Sequence, residues 1–162
     1  MSGLPRRSAC LLIPGLAALG LVLVTSRPLA AQVPPDQAAD MLLTSARRAY
    51  NEKNYPFAIE KFREFLTKYG NHKEVPDARY GLALALIDGP AKDYQAAAEQ
   101  LQNVVGVKDF TDRPFALYYL GASQRGLGVK ELSLAAAKPN EADQRKNAAK
   151  QRFEEGAKQF AA

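Results

Sequence analysis

The chain has 162 residues and a formal net charge of +5 at pH 7, with 22 Lys and Arg against 17 Asp and Glu. It contains one cysteine, one histidine and no tryptophan. These counts exclude a disulfide within the chain and leave no residues for a common zinc site or a Cys–His nucleophile pair. We therefore expect a protein that is not an enzyme, with no catalytic residues, no metal site and no cofactor.

Residues 1–31 have the order of a secretory signal peptide. Two arginines precede the apolar stretch 9–24, and Leu29-Ala30-Ala31 supplies small residues for cleavage before Gln32. The expected location is therefore periplasmic or extracellular. The alternative is a membrane-tethered structural subunit that retains residues 9–24 as an anchor, although 16 residues are fewer than the ~20 that span a bilayer.

Removal of the signal segment changes the charge balance. Residues 1–31 carry three arginines and no acidic residue, so the rest of the chain has 19 basic and 17 acidic residues, a net charge of +2. Charges of both signs alternate along the helices, for example at Glu60, Lys61, Arg63 and Glu64, as on an ordinary solvated face. We therefore expect no nucleic-acid partner.

Apolar residues at helical spacing dominate the chain after the signal segment, and no part of it alternates as a strand would. We expect a short linker at 32–38 and one helical domain at 39–162. The fifth helix is expected to stop at Gly126-Leu127-Gly128, and the stretch from there to Lys138 either extends that helix or forms a short extra one. The pattern predicts helices at about 36–51, 56–69, 76–87, 93–105, 114–126 and, after Pro139-Asn140, to near residue 160.

Three of these helices share one apolar spacing, in which a small residue is followed by a large one and then by a further small or apolar one. The three series are Ala58, Phe62, Phe65; Ala97, Leu101, Val104; and Ala149, Phe153, Gly156. A tyrosine opens the first two of these helices, at Tyr55 and Tyr94, and a Leu-Gly dipeptide lies at 120–121. On these residues the chain resembles tetratricopeptide repeat proteins, and its export signal makes it similar to the periplasmic members of that family.

The resemblance implies an all-α fold of antiparallel helix pairs, stacked as a short right-handed superhelix of about three repeats. The interval from Ala58 to Ala97 is 39 residues and that from Ala97 to Ala149 is 52, against about 34 in the family, so the third repeat is irregular. The alternative architecture is a plain helical bundle without a groove.

The resemblance also implies a function. Such arrays bind a protein or peptide on the concave face lined by the first helix of each pair, here in cell-envelope assembly. We expect the C-terminal helix, where Phe153 and Phe160 would be left partly open, to contact a partner chain, a second copy of this chain by self-association, or a continuation of the protein. The only histidine, His72, is expected to face solvent in a polar turn. The groove positions carried over from the family are Arg48, Asn51, Tyr80, Leu84, Tyr118 and Arg125, a set suited to a peptide with an acidic group.

Overall fold

The computed structural model describes residues 34–162, and every regular element in that range is a helix, as predicted. The predicted signal peptide, the alternative anchor at 9–24 and the first part of the linker lie outside the described residues. Within the described range no helix combines the length and the apolar character that a membrane crossing needs. The helices are α1 (Pro35–Asn51), α2 (Tyr55–Lys68), α3 (Val75–Asp88), α4 (Tyr94–Val105), α5 (Arg113–Ala137) and α6 (Ala142–Phe160), with a 3-10 turn at Pro139–Glu141 between the last two.

The predicted linker at 32–38 is wrong in its second half, because α1 already begins at Pro35. Proline fits the first turn of a helix, where its missing N–H has no partner to lose. The N–H of Ala38 donates to the carbonyl of Pro34 at 2.9 Å and closes that first turn. The acidic Asp36 also lies in this turn, where the helix dipole favours a negative charge. Helix α1 therefore starts within one residue of its predicted start at 36, and the linker predicted to reach residue 38 is too long.

The predicted stop at Gly126-Leu127-Gly128 is also wrong, because α5 continues through it for a total of 25 residues. These glycines accommodate aromatic rings of the neighbouring helices. A Cβ at Gly126 would lie 2.6 Å from Cδ2 of Tyr94 in α4, and one at Gly128 would lie 2.7 Å from Cε1 of Phe153 in α6. The glycines therefore permit close helix packing, and residues 132–137 extend the fifth helix.

The core consists of small and large apolar residues that alternate between adjacent helices. Phe62, Phe65 and Leu101 are at most 1% exposed, and the small residues opposite them let the helix backbones approach closely. Of the three predicted series, all members are buried except Phe153, which is half-buried. As expected from its apolar sequence, α3 packs between neighbours and contacts α1, α2, α4 and α5.

Each helix packs mainly on the next one along the chain. Two further contacts join helices that are not consecutive, α1 with α3 and α3 with α5. Among the described elements, α6 contacts only α5 and the 3-10 turn that precedes it. The packing therefore runs in one direction from α1 to α6.

Candidate partner-binding face

Three tyrosines and one leucine lie on the face formed by α1, α3 and α5, which we call the A-helix face. The α3 residues Tyr80, Leu84 and Asp88 are spaced four apart and therefore share one side of that helix. Tyr50 of α1 reaches the Asp88 end of this row, and Tyr119 of α5 reaches the Tyr80 end. Three helices thus contribute to one surface.

Tyr50 joins α1 to α3 by a hydrogen bond. Its hydroxyl donates to Oδ2 of Asp88 at 2.6 Å, a short distance typical of a charged acceptor. The ring also packs edge-on against Tyr55, with 5.8 Å between centroids. Partial burial, and then the bond to Asp88, raise the pKa of Tyr50 well above its ordinary value. The hydroxyl therefore stays protonated and keeps donating at any physiological pH.

Tyr80 is held by two edge-on ring contacts. Its centroid lies 5.7 Å from that of Phe110, in the loop before α5, and 6.2 Å from that of Tyr119. Burial, with smaller contributions from Tyr119 and Asp112, raises the pKa of Tyr80 to about 12. The side chain is half-buried, so it is held by packing and still partly exposed on this face.

The predicted residues of α1 lie on exposed surface. Arg48 forms an ion pair with Glu52, with Nε 2.8 Å from Oε1, and its side chain is 79% exposed. Asn51, the last residue of α1, is also exposed. The structure gives neither of them a contact with Tyr80 or Leu84. Arg48 instead lines a hollow of about 330 Å³ between α1 and α2, together with Phe57.

Tyr50, Tyr80 and Tyr119 form what we call the tyrosine row. The predicted residues of α5 lie outside it. Tyr118 is 57% exposed, and its ring packs against that of Phe160 of α6 with 5.7 Å between centroids. Its neighbour Tyr119 is the residue that packs against Tyr80. Arg125 is exposed and forms no ion pair within residues 34–162. The structure therefore brings together Tyr80 and Leu84 of the predicted set, and links Tyr118 to them only through Tyr119.

Tyr50 and Tyr119 were not among the residues predicted from the sequence. The dipeptide Tyr118-Tyr119 offered two candidates for one groove position, and only the rotation of α5 decides between them. The Tyr50 ring is half-buried against the core. Its hydroxyl nevertheless reaches an acid 38 positions away, a long-range contact that helical spacing alone does not predict.

The remaining polar groups have structural explanations. His72 lies in the turn between α2 and α3, as predicted, but its ring is half-buried edge-on against Phe65 and its Nδ1 accepts from the N–H of Glu74 at 3.3 Å. Asp93 caps α4 by accepting from the N–H of Ala96 at 3.1 Å. Within the described residues, no group of three or more His, Cys, Asp or Glu side chains could hold a metal ion.

Comparisons of the chain with protein-family models, with curated proteins and with solved structures found no match.

Proposed function

We propose that this chain is an exported, non-catalytic scaffold that binds a protein or peptide through the A-helix face, in the assembly of the cell envelope. In this proposal the helix pairs α1–α2, α3–α4 and α5–α6 stack as three tetratricopeptide-like repeats in a short right-handed superhelix. The A-helix face is then its concave surface.

The order of the helix contacts supports stacked repeats over a plain bundle. A bundle closes on itself and brings its first and last helices together, whereas a repeat array has contacts only between neighbouring repeats. Among the described helices, α1 and α2 contact nothing beyond α3, and α6 contacts no helix other than α5. The contacts of α3 with α1 and with α5 are those expected between the first helices of successive repeats.

The tyrosine row is the observation that carries the binding proposal. Tyr50, Tyr80 and Tyr119 come from three successive first helices and are each half-buried. Their rings are fixed by edge-on contacts and by the bond to Asp88, so little side-chain entropy remains to be lost on binding. Tyrosine also supplies an apolar ring and a polar tip, which suits recognition of a peptide backbone and its side chains.

The two predicted arginines lie beside the tyrosines of this surface, and one of them favours a partner with an acidic group near α5. Arg48 is already neutralised by Glu52 at 2.8 Å, whereas Arg125 has no ionic partner among residues 34–162. An exposed guanidinium binds a carboxylate through two parallel hydrogen bonds. We therefore place the acidic group of the partner at the α5 end of the row.

A photoreactive amino acid introduced at Leu84 in the native cell tests this proposal. Leu84 lies between Tyr80 and Asp88 on α3, so a partner in the groove would be captured there. The matched control is the same amino acid at Arg63, an exposed position of α2. Capture of one envelope protein at position 84 and not at 63 is the expected result, and equal capture at both positions would contradict the proposal.

The same sample separates the scaffold from the tethered subunit. Mass spectrometry of the captured chain gives its first residue. A mature chain that begins at or near Gln32 agrees with export and cleavage, and an intact segment 9–24 recovered only with membrane components would favour the anchor.

A further inference from the structure

The carboxylate of Asp88 lies at a position that the stability of its own helix does not explain. Asp88 is the last residue of α3 and is exposed, and the helix dipole opposes a negative charge at that end. Helices α1, α2 and α6 carry a basic residue in the last turn, whereas α3 carries none. The end of α3 is closed instead by the N–H of Gly89, which donates to the carbonyl of Ala85 at 2.9 Å. Asp88 therefore does not cap α3.

One oxygen of this carboxylate is available to a ligand. Oδ2 accepts from the hydroxyl of Tyr50 at 2.6 Å, and Oδ1 has no hydrogen bond to any residue in the range 34–162. Asp88 also forms no ion pair in that range. The hydroxyl of Tyr50 fixes the carboxylate without neutralising it, because a phenol supplies a hydrogen bond and no charge.

The bases of the two helices that carry Tyr50 and Asp88 are all engaged elsewhere. The pairs are Arg47 with Glu74, Arg48 with Glu52 and Arg79 with Gln100, at 3.3, 2.8 and 2.9 Å. Lys53 and Lys92 lie in the turns that follow α1 and α3, and neither is paired with Asp88 in the part of the chain that the structure describes. Lys92 lines a hollow beside Tyr94 and Leu127 instead. Asp88 therefore keeps an uncompensated negative charge on the A-helix face.

Aromatic rings and an aliphatic side chain surround this charge. The ring of Tyr50 packs edge-on against Tyr55, and the Cβ of Tyr55 lies 3.5 Å from the point where a Cβ on Gly89 would stand. Leu84 lies one turn before Asp88 on the same side of α3. A carboxylate beside phenol rings suits a long basic side chain, whose head forms charge-assisted hydrogen bonds and cation–π contacts while its alkyl stem packs on apolar carbons.

We propose that the partner segment presents a lysine or arginine side chain to Asp88, and that Asp88 determines which segments the A-helix face accepts. This inference rests on the proposed function, because it names the chemistry of the partner at the same surface. The cationic head binds Oδ1 of Asp88, and the alkyl stem packs along Leu84 and the ring of Tyr50. The acidic group assigned to Arg125 binds at α5, so the partner segment carries charges of both signs and different helices recognise them.

Selection from a random-peptide display library tests this assignment. The bait is protein isolated from cells that produce the full chain, and a peptide is taken as a ligand of the A-helix face only if Leu84→Ser abolishes its binding. The unmodified protein is compared with Asp88→Asn and with Asp88→Lys. Position 88 is exposed and a basic residue suits the end of a helix, so the helical circular dichroism signal should be unchanged. The matched control is Asp143→Asn, which removes the same charge from an exposed position of α6.

We expect the peptides that the unmodified protein selects to share a lysine or arginine at one position. Their affinity should fall about tenfold or more in Asp88→Asn, since a hydrogen bond between charged groups is lost, and should be unchanged in Asp143→Asn. Asp88→Lys should select aspartate or glutamate at that position, a change of sign that a merely structural role of Asp88 would not produce.

Peptides that need Leu84 but show no basic preference would overturn this inference and leave the proposed function standing. Equal affinity for Asp88→Asn and the unmodified protein, or an equal loss in Asp143→Asn, would do the same. Failure to recover any peptide whose binding needs Leu84 would overturn the proposed function and this inference with it.

Discussion

The ring of Phe62 in α2 occupies the space in which a Cβ on Gly81 of α3 would stand, with Cε1 only 2.6 Å from that point. Phe62 is 1% exposed and is enclosed by other core residues, so its ring cannot move aside. The same relation recurs where Gly126 faces Tyr94 and where Gly128 faces Phe153. Glycines inside helices thus set the distance between neighbouring helices of this array.

Substitution Gly81→Ala should therefore destabilise the fold. Overpacking in a core costs about 1–3 kcal/mol, and alanine regains roughly 1 kcal/mol over glycine inside a helix. We expect a net loss of up to about 2 kcal/mol in the free energy of unfolding, measured by urea denaturation. The control is Gly106→Ala, where the added Cβ would lie 3.6 Å from the carbonyl oxygen of Asn103, an ordinary contact distance. Equal stability of the two variants would contradict this explanation.

Alkaline pH should lower the free energy of unfolding through Tyr80. The folded-state pKa of Tyr80 is raised to about 12, against about 10 for an unperturbed tyrosine. The neutral hydroxyl is therefore favoured by folding, and its contribution is complete below about pH 10 and lost as the pH rises through about 12. Urea denaturation at several alkaline pH values should show this loss, and Tyr80→Phe should reduce its slope. An unchanged slope in that variant would contradict the assignment.

Acid pH should lower the free energy of unfolding by protonating Glu64. Hydrogen bonds from Lys61, at 2.7 Å, and Lys68, at 2.6 Å, lower its pKa from 4.5 to about 2. Its contribution to stability is therefore present above about pH 4.5 and lost as the pH falls toward 2. Glu64→Gln should flatten this part of the stability profile. The measurement is urea denaturation at several acid pH values, and a profile that Glu64→Gln leaves unchanged would contradict this assignment.

Partner binding should depend on the A-helix face. Leu84→Ser removes an apolar contact from this face, and we expect it to weaken partner capture. The control is Met41→Ser, an exposed position on the side of α1 opposite Tyr50, which should leave capture unchanged. Equal loss of capture in both variants would contradict the assignment of the binding surface.

Much of the fold is determined by local sequence signals. Proline in the first turns of α1, α2, α3 and α5, and Asp93 as the cap of α4, mark where helices begin. The repeated series of small and large apolar residues correctly predicted the buried residues of α2 and α4, because helical spacing alone determines which residues share a face.

The length of α5 could not be predicted in the same way. A Gly-Leu-Gly sequence is typical of a helix end, since glycine is costly inside a helix. Here that cost is offset by packing against aromatic rings of two other helices. Tyr94 lies 32 positions before Gly126, and Phe153 lies 25 positions after Gly128. No local pattern contains that information.

The candidate site was predicted in part for a related reason. Tyr80 and Leu84 lie one turn apart on α3, so spacing along the helix was sufficient to place them on one face. Whether Tyr119 or Tyr118 packs against Tyr80 depends on how α5 is rotated against α3 and α6. That rotation is set by packing at Gly121 and Gly156, whose backbones approach closely.

Because α6 has few neighbours, the free energy of local unfolding should be lower there than in α1 to α4. Among the described elements, helix α6 touches only α5 and the 3-10 turn before it. The last turns of α5 are held to α6 through Glu131 and Arg145 at 2.9 Å. These two segments should detach together while α1 to α4 stay folded. Amide hydrogens of residues 131–160 should then exchange with solvent as one group, faster than those of α3, and a protease should cut there first.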